Sequence, residues 1–191
     1  MSGKVVVTEF ISIDGVFQDP GGTGEMERGA WSFKHERGED GDKIKLDELM
    51  DADAQLLGRV TYEGFAKAWP SMEDEAGFAE RMNSMPKYVV STTLKDPEWQ
   101  NTTVISENVG DEVRKLKDRY DGDILVAGSG QLVKTLIDEG LVDVLRLMIH
   151  PVVVGQGRHL FGEQSDLSEF KLTHSQAVGP DGVFVLTYEP A

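Results

Sequence analysis

The apolar positions of the chain follow two alternating periods. Short apolar runs recur at Lys4–Ile13, Ala54–Leu57, Lys87–Ser91, Thr102–Ile105 and Ile124–Ala127, the first of them rich in β-branched residues, the pattern of buried strands. Between them, apolar residues return at helical spacing. One short helix is predicted over Lys43–Met50 with Leu46, Leu49 and Met50 inward, and a second through Tyr62, Phe65, Ala66 and Trp69. Phe78, Met82 and Met85 carry some of the same spacing, Val109, Val113, Leu116 and Tyr120 line one face, and Leu132, Val133, Leu136 and Ile137 line another before Gly140 stops the helix. Beyond Gly140 the pattern changes. Val142–Val154 is a long apolar stretch broken by Arg146, His150 and Pro151, and the proline predicts a bend or an edge. Phe170–Ala177 and Val183–Tyr188 flank Gly179-Pro180-Asp181-Gly182, a hairpin signal. The chain begins as alternating β and α and finishes in antiparallel strands, an α/β class.

Three predicted strands end in polar turns. After Ile124–Ala127 come Gly128, Ser129, Gly130, Gln131 and Leu132, so strand, glycine turn and helix follow at once. Such a turn aims free backbone N–H groups outward, and the helix dipole adds partial positive charge, which suits a phosphate. The alternative is a tight βα turn with no ligand. A dinucleotide fingerprint of the Rossmann kind would need a glycine where Val133 stands. After Ala54–Leu57 come Gly58, Arg59 and Thr61, an arginine and a hydroxyl at a strand mouth. After the third strand come Ser91 and Thr92, which fit a ribose or phosphate and are equally ordinary turn formers. In a parallel sheet these exits share one edge, the usual place for a ligand crevice. Asp14 stands where the first strand empties into a loop, as a functional carboxylate or an Asx turn.

Residues 18–42 are glycine-rich and charged, the length at which a loop tends to be functional or mobile. Trp31, Phe33 and His35 alternate within it. They could line a flat apolar pocket or pin the loop to the core.

Composition narrows the classes. The 191 residues fit one domain, 1–191, and the formal net charge of −15 disfavours nucleic acid and anionic membrane as partners. There is no cysteine, so disulfides and thiolate metal sites are excluded. The four histidines do not pair at metal-ligand spacing, and no metal site is expected. No Gly-x-Ser-x-Gly elbow supports a hydrolase triad. No run reaches transmembrane length, and a cytoplasmic protein is the expectation.

Taken in order, Ser12-Ile13-Asp14-Gly15, Leu57-Gly58-Arg59 with Thr61-Tyr62-Glu63, Lys87 with Ser91, Gly128 with Gly130, and Pro151 with Gly155, Gly157, Arg158 and Phe161 resemble the dihydrofolate reductase-like superfamily. The branch they are most similar to is the C-terminal reductase domain of the bacterial riboflavin-biosynthesis deaminase/reductase, over residues 4–188. The resemblance implies a three-layer α/β fold, a mostly parallel sheet closed by an antiparallel C-terminal hairpin. It implies NADPH as hydride donor and a homodimer through the late strands. By position, Gly58, Arg59 and Thr61 correspond to the first phosphate turn, and Ser91 and Thr92 to the ribose and 2′-phosphate contacts. Gly128, Ser129, Gly130, Gln131 and Leu132 correspond to the diphosphate turn. Asp14 matches the aspartate near nicotinamide and substrate and is the first candidate for the proton path, His35 the second. Trp31, Phe33, Phe65 and Trp69 are the expected substrate wall. In dihydrofolate reductase a substrate-binding carboxylate stands early in the first helix; the corresponding region here, Glu25 to Glu36, departs from that pattern, with Glu27 or Glu36 as the candidate substitute. The zinc deaminase half of the bifunctional enzyme has no counterpart in this cysteine-free chain.

Overall fold

Residues 2–162 and 167–191 are described by a computed structural model. Strand β1 (Val5–Ser12) shows how both faces of its sheet are covered. Val5, Val7 and Ile11 enter one apolar cluster and Val6 the other, as alternation along a strand requires. The first cluster is closed by α4 (Val109–Arg119) and α5 (Gly130–Asp138) through Val113, Leu116, Leu132, Val133 and Leu136. The second is closed by α1 (Gly38–Asp51), α2 (Arg59–Ala68) and α3 (Phe78–Ser84) through Leu49, Tyr62 and Met82. Burial on both sides explains why the strands read as continuous apolar runs.

The remaining strands are β2 (Ala52–Gly58), β3 (Lys87–Val90), β4 (Thr102–Ile105), β5 (Asp123–Val126), β6 (Val144–His150), β7 (Phe170–Val178) and β8 (Val183–Pro190). Their order is β4-β3-β2-β5-β1-β6-β8-β7. Strands β1 to β6 run parallel, and β8 and β7 close the sheet antiparallel. This is the three-layer architecture expected above, and β6 ends at His150, just before Pro151.

Two local expectations are corrected. Helix α1 starts at Gly38, not Lys43. Its start is braced by the β7–β8 turn: Gly179 N–H donates to Asp40 Oδ1 at 3.1 Å, and Glu36 N–H to Asp181 Oδ2 at 2.7 Å. Met50 is 42% exposed rather than inward, and Leu49 fills the core instead.

Several ionisable groups are buried in this frame. Glu48 accepts from Thr8 Oγ1, pairs with Lys45 and lies 2.9 Å from Arg146 Nη1. Burial alone would raise its carboxyl, but the two cations outweigh burial and hold it low. Lys87 is fully buried; its Nζ donates to the carbonyls of Asn83, Met85 and Gln100 and lies 4.2 Å from the Trp99 ring centre. Burial pushes it down to about 8. Glu9 is buried with Oε1 lacking a partner among the described residues, and burial, opposed by Lys45, raises its carboxyl to about 8. His150 is buried edge-on against Phe10 and Trp31, and burial lowers it to about 4.

Candidate functional site

Parallel strands place the exits of β1, β5, β2 and β3 side by side on one edge. The β2 and β5 exits do more than adjoin. Gly58 N–H donates to Gly128 O at 3.0 Å. A Cβ on Gly58 would lie 2.2 Å from Ser129 Oγ and 2.9 Å from Ser129 N. A Cβ on Gly128, whose φ is 113°, would lie 2.5 Å from Thr61 Oγ1. The two turns are therefore interlocked at van der Waals contact, and only glycine fits at either point. The Gly128–Ser129 peptide is cis.

Both helices that leave these turns start without a side-chain cap, at Gly58 for α2 and at Ser129 for α5. The first N–H groups of a helix have no intrahelical partners, so Gly130, Gln131 and Leu132 offer backbone donors to an anion. The Leu132 side chain is core, and only its backbone serves the site. Arg59, the first residue of α2, is engaged by Glu63, with Nη1 2.9 Å from both carboxylate oxygens.

Ser91 follows β3 next to this edge, since Val90 is in register with Gly58. Its hydroxyl is turned inward and accepts from Thr93 N–H at 3.1 Å and Leu94 N–H at 2.9 Å. Ser91 thus serves its own turn, and Thr92, Thr93, Lys95 and Asp96 are exposed at this exit.

Asp14 lies just past β1 and is fully engaged. It accepts from Ser12 Oγ at 2.6 Å, from Val154 N–H at 3.0 Å and from Gly155 N–H at 2.8 Å. Desolvation works to raise its carboxyl, but the hydrogen bonds from Ser12, Gly155 and Val154 hold it at about 2. Asp14 therefore clamps the 13–30 loop to the segment after β6. Further bonds zip the two together: Phe17 N–H to Arg158 O, Leu160 N–H to Gly15 O, Arg158 N–H to Gln18 Oε1 and Arg28 Nη1 to Val154 O. From there the loop crosses toward α2, where Thr23 Cγ2 would meet a Cβ on Gly64 at 3.5 Å. Asp19 organises that crossing by accepting from Thr23 Oγ1 at 2.9 Å and Met26 N–H at 3.3 Å.

The expected aromatic wall does not assemble as one surface. Trp31 is 1% exposed and pins the loop, donating Nε1–H to Gln18 O at 2.9 Å. Phe33 is 75% exposed. Phe65 and Trp69 pack on each other at 6.3 Å, and Trp69 on Phe78 at 5.1 Å, joining α2 to α3. Trp31 and Phe33 stand two residues apart on the 3-10 turn Trp31–Lys34, which buries the first and leaves the second exposed. His35 caps that turn, and its Nδ1 is buried without a partner among the described residues. Glu27 and Glu36 are both exposed.

Phe17 and Arg158 were not singled out as site residues. A Cβ on Gly130 would lie 2.5 Å from Phe17 Cζ, so the ring is seated on the start of α5. Arg158 stands 5.8 Å from that ring's centre. The signal available was the Gly155-x-Gly157-Arg158 motif; nothing local to Phe17 revealed its seat.

The sheet order and the paired glycine turns define a dihydrofolate reductase-like α/β protein. Within that class the chain belongs to the RibD C-terminal domain family, whose model matches residues 3–184. It is 30% identical over 188 residues to the uncharacterized protein YyaP of Bacillus subtilis strain 168, covering 97% of this chain and 94% of that protein. The fold is similar to dihydrofolate reductase from Enterococcus faecalis in complex with NADP(H) and RAB-propyl, with a TM-score of 0.62, 17% identity and coverage of 100% of this chain and 98% of that one. It is also similar to the Thermotoga maritima diaminohydroxyphosphoribosylaminopyrimidine deaminase/5-amino-6-(5-phosphoribosylamino)uracil reductase, with a TM-score of 0.66, 17% identity and coverage of 100% of this chain and 57% of that one. Among the described residues no helix is long and apolar enough to cross a membrane.

Proposed function

We propose that the chain is an NADPH-dependent reductase, transferring a hydride to a C=N or C=O of a small pyrimidine- or pterin-like heterocycle or a ribosyl substrate. The activity it resembles is 5-amino-6-(5-phosphoribosylamino)uracil reductase. The observation that carries this reading is the interlocked pair Gly58 and Gly128, which leaves two uncapped helix starts facing one edge. That cradle fits a dinucleotide: backbone donors at Gly130, Gln131 and Leu132 for the diphosphate, and Arg59, Thr61 and Thr92 for the ribose side. NADPH, when bound, supplies the hydride, and the chain supplies alignment and electrostatics.

Asp14 is ionised at neutral pH, so its part in the proton path is to orient water and hold the 152–155 backbone, not to release its own proton. His35 is the second candidate for the proton path. The 13–30 loop, crossing to α2, excludes water from the crevice.

One observation favours a second reading, a nucleotide- or pterin-binding protein without turnover. Asp14 is fully bonded, and neither Glu27 nor Glu36 is drawn into the site. Titration with NADPH and NADH, followed by nicotinamide fluorescence, tests the cofactor, and a screen of heterocyclic and ribosyl substrates tests turnover. Binding of neither dinucleotide would remove the reductase reading. Binding without turnover on any of them would favour the second.

A homodimer joined along the late strands completes the proposal. Edge strand β7 carries exposed Leu172 and an open hydrogen-bonding edge. Light scattering at monomer mass would refute it.

A further inference from the structure

The 13–30 loop and the segment after β6 meet at an ion pair that hydride transfer does not use. Arg158 Nη2 lies 3.1 Å from Glu25 Oε2. The backbone of Arg158 is fixed at both ends, its O accepting from Phe17 N–H at 3.1 Å and its N–H donating to Gln18 Oε1 at 3.0 Å. Its side chain is 54% exposed, and Glu25 is its ion-pair partner. The Phe17 ring is seated on Gly130, and its centre lies 5.8 Å from the Arg158 guanidinium. An arginine on a fixed backbone thus stands one phenyl ring away from an uncapped helix start.

Glu25 is held less firmly. Its other contacts are long: 3.4 Å from Thr23 Oγ1 and 3.5 Å from Gln18 Nε2. An exposed carboxylate pair of this kind contributes little, whereas a phosphate offers the same guanidinium two parallel charge-assisted bonds. A phosphate over the α5 start would also share the charge of the helix dipole.

We infer that Arg158 is a phosphate-binding residue of the crevice, and that Glu25 occupies it until a phosphorylated ligand arrives. The inference rests on the cofactor reading above. Exchange of partners releases the loop tip at Glu25, while Asp14 keeps the loop base clamped. Ligand arrival and loop position are thereby coupled through one side chain. The phosphate is the dinucleotide's diphosphate or a phosphate ester on the substrate, and the two sources are separable.

The test uses the full chain and the variants Arg158→Gln and Glu25→Gln, checked for unchanged melting. Each is titrated with NADPH, NADH, inorganic pyrophosphate and ribose 5-phosphate. The diphosphate is common to both dinucleotides, so Arg158→Gln is expected to weaken both equally, by about tenfold, or about 1.4 kcal/mol. Glu25→Gln is expected to tighten both several-fold. Arg59→Gln, a residue on the 2′-phosphate side, weakens NADPH more than NADH. If Arg158→Gln weakens only ribose 5-phosphate, Arg158 is confirmed as a phosphate residue and the substrate ester is the source. If Arg158→Gln binds every phosphate probe as the unaltered chain does, the inference is overturned. Failure of the cofactor reading looks different: the unaltered chain then binds neither dinucleotide, and pyrophosphate alone decides Arg158.

Discussion

Replacing Glu9 by Gln offers the sharpest check on the interior of this protein. Glu9 lies on β1, buried, facing away from Thr8, with no partner at Oε1 among the described residues. Its carboxyl titrates at about 8 in the fold against 4.5 ordinarily. Between those values the native chain holds a proton that the unfolded chain has released. Stability attributable to this group is therefore greatest below pH 4.5 and is lost as pH rises through 8. Each pH unit in the window is worth about 1.4 kcal/mol, so at pH 7 the buried acid costs about 3 kcal/mol. Glutamine stays neutral and removes that slope, although its unpaired amide adds a constant cost of about 1–3 kcal/mol. His150, lowered to about 4, acts with the opposite sign, its stability being lost as pH falls from 6.5 toward 4. The unaltered chain is thus expected to be level between about pH 4.5 and 6.5 on account of these two groups and to weaken above. The assay is urea unfolding of both proteins at pH 5.5, 6.5 and 7.5. The stability of Glu9→Gln relative to the unaltered chain should rise by about 2–3 kcal/mol across that range. Curves that stay parallel would show Glu9 ionised or solvated in the fold and would refute the reasoning.

Other predictions bear on the frame and the site. Lys87→Met leaves the carbonyls of Asn83, Met85 and Gln100 without their shared donor and should lower unfolding stability by about 2–4 kcal/mol in urea titration. Gly58→Ala drives a methyl into Ser129 Oγ and N, so it should cost about 1–3 kcal/mol and weaken NADPH at least tenfold by fluorescence titration. Asp14→Asn replaces an acceptor of two loop N–H groups by an amide that repels one of them. It should lower stability by about 1–2 kcal/mol, uniformly from pH 5 to 8 because the lost carboxylate titrates at about 2, with faster proteolysis of the 152–155 segment. Unchanged turnover in that variant on a true substrate would remove Asp14 from the proton path.

What could be read from the chain depended on where each residue's partner lies. The strands were legible because burial on both faces leaves an apolar run with no competing period. The glycine turns were legible as turns, and their common edge followed from parallel order. Their interlock was not, since Gly58 and Ser129 meet only once β5 is inserted beside β2. The start of α1 was misplaced because Asp181 and Gly179 decide it from the far end of the chain. Ser91 was ambiguous for a different reason. A hydroxyl at a strand exit serves a ligand or its own turn equally well, and only the positions of Thr93 and Leu94 N–H decide. Trp31 and Phe33 share a short alternation that suggested a common face, and a single 3-10 turn separates them.

The crevice therefore has two halves of different character. The β2 and β5 turns admit no methyl group at Gly58 or Gly128, so that half is fixed by close contact between the two turns. The other half is made of two loops tied by Asp14, Asp19 and a few backbone bonds, with Glu25 and Arg158 at its rim. Side chains there can change without disturbing the glycine lock. On the reductase reading proposed above, the choice of substrate is expected to lie in residues 13–30 and 152–161. Exchanging the 18–30 segment for that of another family member should change which compound is turned over while leaving dinucleotide affinity within a few-fold. A parallel loss of dinucleotide affinity in such a chimera would show that the halves are not separable and that the loop helps build the cofactor cradle.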